Sequence, residues 1–226
     1  MEIKPIAYIK NRFSEKFGIP RQPLKVNNFS EIVFEKKYAK VDAVRGLEGF
    51  SHIWLIFDFS MSHREKPSLT VRPPRLGGNK RIGVFASRSP FRPNSIGLSA
   101  VKLCKIKAEN GKLSLIVEGA DLLNGTPIYD IKPYIPYADS IKDATSGFTS
   151  ENADYLLEVT FDEGIKGISE DYKTEIEQII KEDPRPQYKE DNENIYKMRY
   201  GKYDVSFTVM KKIARVVKID EYKEKI

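Results

Sequence analysis

"GLSAVKLCKIKAENGKLSLIVEG", residues 97–119, sets two runs rich in aliphatic residues on either side of Asn110-Gly111. That dipeptide suits a type I′ turn, whose two central residues both need a positive φ, so the stretch reads as an antiparallel hairpin. Other early runs share its character: "KPIAYIK" (4–10), "SEIVFE" (30–35), "SHIWLIFDF" (51–59) and "RIGVFA" (81–86) are short, β-branched or aromatic, and bounded by turn residues. The only early helical candidate is the turn or two in "VDAVRGLEGF" (41–50). No regular βαβ alternation appears, so the pattern predicts a closed or nearly closed antiparallel sheet and argues against a doubly wound nucleotide fold.

The character changes at "ATSGFTSENAD" (144–154), a small, polar stretch that marks a boundary. Beyond it, "DYLLEVTF" reads as a strand and "SEDYKTEIEQIIKED" as a helix, capped by Ser169 and carrying Tyr172, Ile176, Ile179 and Ile180 on one stripe. "DPRPQY" (183–188) stops that helix because proline cannot continue it. "NIYKMRYG", "YDVSFTVM" and "ARVVKID" complete the chain as strands. The fold class is therefore mainly β with an α+β appendage: an antiparallel β-barrel over 1–145 and a small C-terminal α+β domain over 146–226.

The 226 residues carry a net charge of +6 and one cysteine, Cys104, which sits in an apolar run and reads as a buried, inert thiol in a reducing cytoplasm. "MEIKPIAYIK" has no apolar leader core, and no window approaches the roughly 20 apolar residues of a membrane helix. With only His52 and His63 beside that cysteine, a zinc site would need carboxylates, and no metal site is expected. The positive charge is concentrated: between His63 and Asn94 stand eight Lys or Arg against the single acid Glu65, with five prolines among them. Such a surface suits an anionic or nucleic-acid partner.

Inside that window, "GVFASRSPFRPNSIGLSAVKL" (83–103) has strand-like ends and a middle stiffened by Pro90 and Pro93. It carries Arg88 and Arg92, side chains able to grip a carboxylate or phosphate with two parallel hydrogen bonds. Gly97 would let a ligand or another backbone approach the following strand. Nucleotide-loop, hydrolase-elbow and zinc-protease motifs are missing, and nothing pairs His52 or His63 with Ser87, Ser89 or Ser95.

Six blocks in order, "PRQP" (20–23), "DAVRGLEGFSHIW" (42–54), "VRPPRLGGN" (71–79), "RIGVFASRSPFRPNSIGLS" (81–99), "DLLNGTPIYDIKPYIPYAD" (121–139) and "DPRPQY" (183–188), resemble the TrmO, or TsaA-like, family over nearly the whole chain. The resemblance implies an S-adenosylmethionine-dependent methyltransferase acting on N6 of threonylcarbamoyl-modified adenosine 37 in the tRNA anticodon stem-loop. It also implies a β-barrel catalytic domain, a smaller C-terminal domain and a homodimer whose site involves both subunits. The competing reading is a non-catalytic RNA- or nucleotide-binding β-barrel module. Carried over, the family's cofactor contacts fall on Pro20, Arg21, Gln22, Ser60, Met61, Arg88, Leu98, Glu118, Gly119, Ala120 and Asp121. Arg21 or Arg88 would take the methionine carboxylate, Leu98 would pack on the adenine, and Asp121 would accept hydrogen bonds while favouring the sulfonium charge.

Two departures stand out: Ser60-Met61 replaces a His-Gln pair of some relatives, and Pro93-Asn94-Ser95 replaces Pro-Asn-Pro. Asp183 and Tyr188 are the expected proton acceptors for N6, a weak, urea-like nucleophile. The residues of "DPRPQY" alone leave a second reading open, a helix stop whose Asp183 and Arg185 pair with each other. "YKMRYGKYD" (196–204) mixes Lys197, Arg199 and Lys202 with aromatics, which fits either a single-stranded RNA contact or alternating strand faces.

Overall fold

In the computed structural model, which describes residues 2–76, 80–152, 155–185 and 192–222, the barrel comes first in the chain. Its elements are β1 (Ala7–Lys10), β2 (Phe29–Phe34), β3 (His52–Asp58), the short β4 (Thr70–Val71) and β5 (Ile82–Gly83), β6 (Ile96–Glu109), β7 (Lys112–Glu118), β8 (Pro127–Pro133) and the single-turn helix α1 (Pro136–Asp139). Then follow β9 (Glu158–Phe161), helix α2 (Glu170–Lys181), β10 (Asn192–Tyr200), β11 (Tyr203–Met210) and β12 (Ile213–Glu221). "VDAVRGLEGF" forms two 3-10 turns, Val41–Val44 and Leu47–Gly49.

The hairpin forms as its turn residues dictate, with Asn110 and Gly111 at φ 52° and 73° and Glu109 opposite Lys112. Six strands close a barrel in the order β1-β2-β7-β6-β3-β8, every pair antiparallel. Alternation along the strands turns Ile9, Ile32, Ile53, Leu55, Val101, Leu115, Val117 and Ile128 inward to fill it. The closing strand β8 is absent from the runs expected above, and a proline stands at each of its ends, Pro127 and Pro133. Proline is tolerated at strand ends, where no ladder hydrogen bond is lost.

Three expectations are corrected. "RIGVFA" contributes no barrel strand: Ile82–Gly83 pairs only with Thr70–Val71, and Val84–Ala86 is a 3-10 turn closed by Ser87 N and Oγ, both donating to the Val84 carbonyl. Cys104 is exposed because strand alternation carries it outward: Val101 and Leu103 face the barrel core, so Cys104 shares the outer side with Lys102, and the bulge there, with Leu103 opposite Val117 and Lys105 already opposite Ile116, does not turn it in. Gly97 admits no ligand, since a Cβ there would lie 2.2 Å from the Phe57 ring, which already covers the position.

The C-terminal sheet has the order β10-β11-β12-β9, antiparallel except where β9 runs parallel to β12. Helix α2 lays Ile176, Ile179 and Ile180 against Val205, Phe207, Val209 and Val216, the predicted stripe. Ser169 occupies the N-cap position, but its hydroxyl makes no capping bond, and the cap rests on its carbonyl, which accepts from Lys173 N at 3.0 Å. Unforeseen is the segment 11–28 linking β1 to β2. It leaves the barrel, buries Phe13 and Val26 in the C-terminal core, and returns. Gly201 N donates to the Arg12 carbonyl at 2.7 Å, and Arg12 reaches the buried Glu175 at 2.5 Å, which also accepts from Tyr200 Oη at 2.8 Å. Gly18 must stay glycine, being at φ 95° with Met198 Sδ 2.8 Å from any added Cβ.

Candidate active site

The arginine loop fills the long β3–β6 connection, whose neck is closed by Phe59 N donating to the Ser95 carbonyl at 2.8 Å. Its serines build backbone and are not nucleophiles held by a base: Ser87 Oγ donates to Val84 O at 2.8 Å and accepts from Ser89 N at 3.3 Å, and Ser89 Oγ accepts from Phe91 N at 3.3 Å. The histidines have other partners, His63 Nε2 lying 2.7 Å from Asp58 Oδ1 and His52 Nδ1 2.9 Å from Ser51 Oγ. Only one of the two loop guanidiniums is presented. Arg92 turns back to the Ser87 carbonyl at 3.1 Å, while exposed Arg88 reaches out to the Gln22 side-chain oxygen.

Gln22 belongs to the 11–28 segment, which touches almost every region expected to form the site. Lys16 Nζ donates to the Met61 carbonyl at 2.6 Å, Leu24 N to the Gly119 carbonyl at 2.8 Å, and Arg21 Nη2 to the Arg185 carbonyl at 2.8 Å. The run after β7 is fixed as firmly. Gly119, at φ 84°, donates its N–H to Asn28 O at 3.0 Å and has Leu24 where a Cβ would stand. Buried Ala120 accepts from Asn28 Nδ2 at 3.1 Å, and Glu118 is bridged by Lys102 at 2.9 Å. The carboxylate that remains is Asp121, which accepts from the buried Ser99 hydroxyl at 2.6 Å and feels the charge of Arg88.

Burial pushes the Asp121 carboxyl up to about 6, against the opposing pull of the Ser99 hydroxyl, a backbone N–H and Arg88. Folding therefore raises this group above its ordinary 3.8, so its ionised form opposes folding. The opposition is complete above pH 6 and disappears as the pH falls towards 4, where the native state has taken up the proton first. Asp121→Asn should raise the melting temperature of the ligand-free protein at pH 7.5 by roughly 3–8 °C, from about 1–3 kcal/mol. Calorimetric melts of both proteins at pH 7.5 and 4.5 check this, the difference shrinking at the lower value.

Ser60 and Met61 are exposed at the loop neck, with the Met61 carbonyl taken up by Lys16 and its side chain left open to solvent. Pro20 is buried. Leu98 is 55% exposed on the outer face of β6, opposite in direction to buried Ser99, so a single chain does not bring it to Asp121. Asp183 is 1% exposed, its Oδ1 accepting from Arg185 Nε at 2.8 Å and its Oδ2 from Arg185 Nη2 at 3.0 Å. That is the second of the two readings left open for "DPRPQY". Tyr188 lies outside the described residues. Lys16, Asn28 and Ser99 were missed; Ser99 alone left a signal, a polar residue on an otherwise inward apolar strand face.

A closed β-barrel brings a guanidinium, an amide and a half-buried carboxylate from three chain segments, groups chemically able to meet a small ligand that carries both a carboxylate and a positive centre. Comparison with known proteins specifies the kind. The family model described as the tRNA-methyltransferase O N-terminal domain matches residues 8–140, and that of the TrmO C-terminal domain matches 156–222. The chain belongs to the TrmO family. It is similar to the tRNA (adenine(37)-N6)-methyltransferase of Escherichia coli, at 38% identity over 85% of each chain. It is similar as well to RcsF of Pseudomonas aeruginosa, provisionally named an S-adenosylmethionine-dependent methyltransferase, at 43% identity over 82% of each. The crystal structure of TrmO from P. aeruginosa superposes with a TM-score of 0.80 at 32% identity, covering 98% of this chain and 97% of that one.

Proposed function

We propose that this protein transfers the methyl group of S-adenosylmethionine to N6 of adenosine 37 in tRNA, and that its substrate adenosine already carries the threonylcarbamoyl group. The observation that supports the reading is an exposed Arg88, bonded to the Gln22 side-chain oxygen, within electrostatic reach of the Asp121 carboxylate. It offers a fork for the methionine carboxylate and a negative group for the sulfonium side of one ligand. The residues fit the donor: Arg88 already holds a neutral amide oxygen where a carboxylate would bind better, and Gln22 can yield because its own backbone is fixed by its neighbours.

Once bound, S-adenosylmethionine supplies an activated methyl carbon for in-line displacement. What the chain adds is orientation and charge. Arg88 and the 11–28 segment fix one end of the donor, and Asp121 keeps a negative charge beside the positive centre. The N6 proton must leave to a base, and with Asp183 enclosed by Arg185 we keep Tyr188 for that role. Exposed Arg64, Lys66, Arg72, Lys80 and Arg81 would face the anticodon phosphates, and Arg64 over the Phe91 ring at 4.1 Å leaves a cationic, partly apolar surface for splayed bases.

The working unit in this reading is a cytoplasmic homodimer, with the barrel domain at 1–145 and the smaller domain at 146–226. A second copy would cover Ile96 and Leu98, exposed side by side on the outer face of β6, and so bring Leu98 to a donor. No helix among the described residues is long and apolar enough to cross a membrane. Incubation with labelled S-adenosylmethionine and tRNA, with and without the threonylcarbamoyl group, tests the activity. Label entering only modified tRNA at adenosine 37 is expected; binding of tRNA and donor without any transfer would make the protein a non-catalytic module.

A further inference from the structure

The turn that follows α2 is built around an ion pair between residues only two apart. Asp183 sits at φ 46°, a left-handed conformation that is uncommon outside glycine and that Asp tolerates better than most. The bend lets Arg185 fold back on the preceding carboxylate, which accepts from Arg185 Nε, Nη2 and backbone N at 2.8, 3.0 and 3.2 Å and from Tyr155 Oη at 3.3 Å. Both side chains are buried, at 1% and 5% exposure. A carboxylate enclosed in this way has no lone pair turned to a substrate, and freeing one would cost Arg185 part of the negative charge that neutralises it in the interior. The pair fixes a backbone carbonyl instead. Arg185 O accepts from Arg21 Nη2 at 2.8 Å, and Arg21 stands next to the Gln22 that meets Arg88.

We propose that Asp183 is a positioning residue for the donor site: with Arg185 it sets the carbonyl that aims the Arg21 guanidinium, so that the C-terminal domain controls the geometry of the Pro20–Gln22 segment. Just beyond it in the 11–28 stretch, an ion pair of Lys25 with Glu182 at 3.6 Å and a hydrogen bond from Asn27 N to Gln178 Oε1 at 2.8 Å hold the chain to the same end of α2. The segment is thus stretched between the C-terminal end of α2 and the barrel at Gly119, and its side chains face the donor from a frame that both domains supply. A displacement of about 1 Å in such a frame is enough to weaken binding and misalign transfer. This inference rests on the donor-site reading above.

The test is a double-mutant cycle on the full-length protein, read by calorimetric titration with S-adenosylhomocysteine. Asp183→Asn should raise Kd roughly 5- to 20-fold, and the same substitution should add almost nothing in an Arg21→Met background, because the two act through one contact. At saturating donor, the pH profile of kcat with tRNA should keep its shape. Additive effects in the cycle, or an unchanged Kd with the acidic limb of the pH profile lost, would overturn the proposal, the second outcome returning Asp183 to the role of proton acceptor. Should Asp183→Asn unfold, the paired Asp183→Asn/Arg185→Gln variant leaves no buried charge unpaired and takes its place in the cycle. An Arg21→Met protein that binds as tightly as the parent also refutes it. Failure of the parent itself to bind S-adenosylhomocysteine would instead sink the underlying donor-site reading.

Discussion

Arg88→Met should weaken S-adenosylhomocysteine binding roughly 30- to 150-fold, about 2–3 kcal/mol, the range for hydrogen bonds made to a charged group. The melting temperature should stay within about 2 °C of the parent, as for other surface substitutions away from special features. The two halves of the expectation have separate causes. Affinity falls because the only loop guanidinium turned outward is lost, Arg92 being bound to Ser87 O at 3.1 Å and unable to substitute without dismantling the turn. Stability holds because Arg88 is exposed and the hydrogen bond it makes is to Gln22. A second effect follows: Arg88 lowers the carboxyl of Asp121, so its removal lets burial push that group still higher and lose part of its charge near neutral pH. For S-adenosylmethionine, whose sulfonium the Asp121 charge would favour, the binding loss should therefore be larger at pH 6.5 than at pH 8. Titration calorimetry at both values checks the size and the pH trend. Unchanged affinity would move the methionine carboxylate to Arg21, and an unfolded variant would make the loop an architectural cap.

The barrel was legible in the chain because its hairpin is local. Asn110-Gly111 fixes the turn and the two runs beside it supply their own register. Where an element depends on distant partners the sequence is silent. Phe13 and Val26 show no period of their own, and they are core only because residues some 150–200 positions later form a sheet beneath them. Cys104 misleads because a run apolar at successive positions does not declare which parity faces inward; Val101 and Leu103 do, and Cys104 is left outside with Lys102. The site divides in the same way. Composition alone marks the cationic loop, while the choice between Arg88 outward and Arg92 inward depends on which one meets the Ser87 carbonyl. Gln22, Gly119 and Asp121 are connected by no local pattern, only by the resemblance. Their convergence follows from the path of the 11–28 segment between the two domains.

Affinity for tRNA should fall roughly 50- to 150-fold between 50 and 200 mM monovalent salt if about four cations neutralise phosphates, given slopes of about −0.7 to −0.9 per contact in log–log form. The structure makes that count reasonable, because Arg64, Lys66, Arg72, Lys80 and Arg81 are all exposed in a window whose one acid is Glu65. Removing one of them, as in Arg81→Ala, should lower the slope by about one and leave the fold untouched. The donor behaves differently. Its carboxylate would meet Arg88 at hydrogen-bond range, inside the Debye length of roughly 7–14 Å at these ionic strengths, so Kd for S-adenosylhomocysteine should change only a few-fold over the same interval. The threonylcarbamoyl group adds one carboxylate to some 70 phosphates of a tRNA, so the preference for modified over unmodified tRNA should also be nearly flat in salt. Fluorescence anisotropy with both tRNAs across the salt series separates these contributions. A slope near zero would remove the 63–94 window from the RNA surface; the mixed run at 196–204 would not replace it, because Tyr196, Tyr200 and Tyr203 are buried in the C-terminal core.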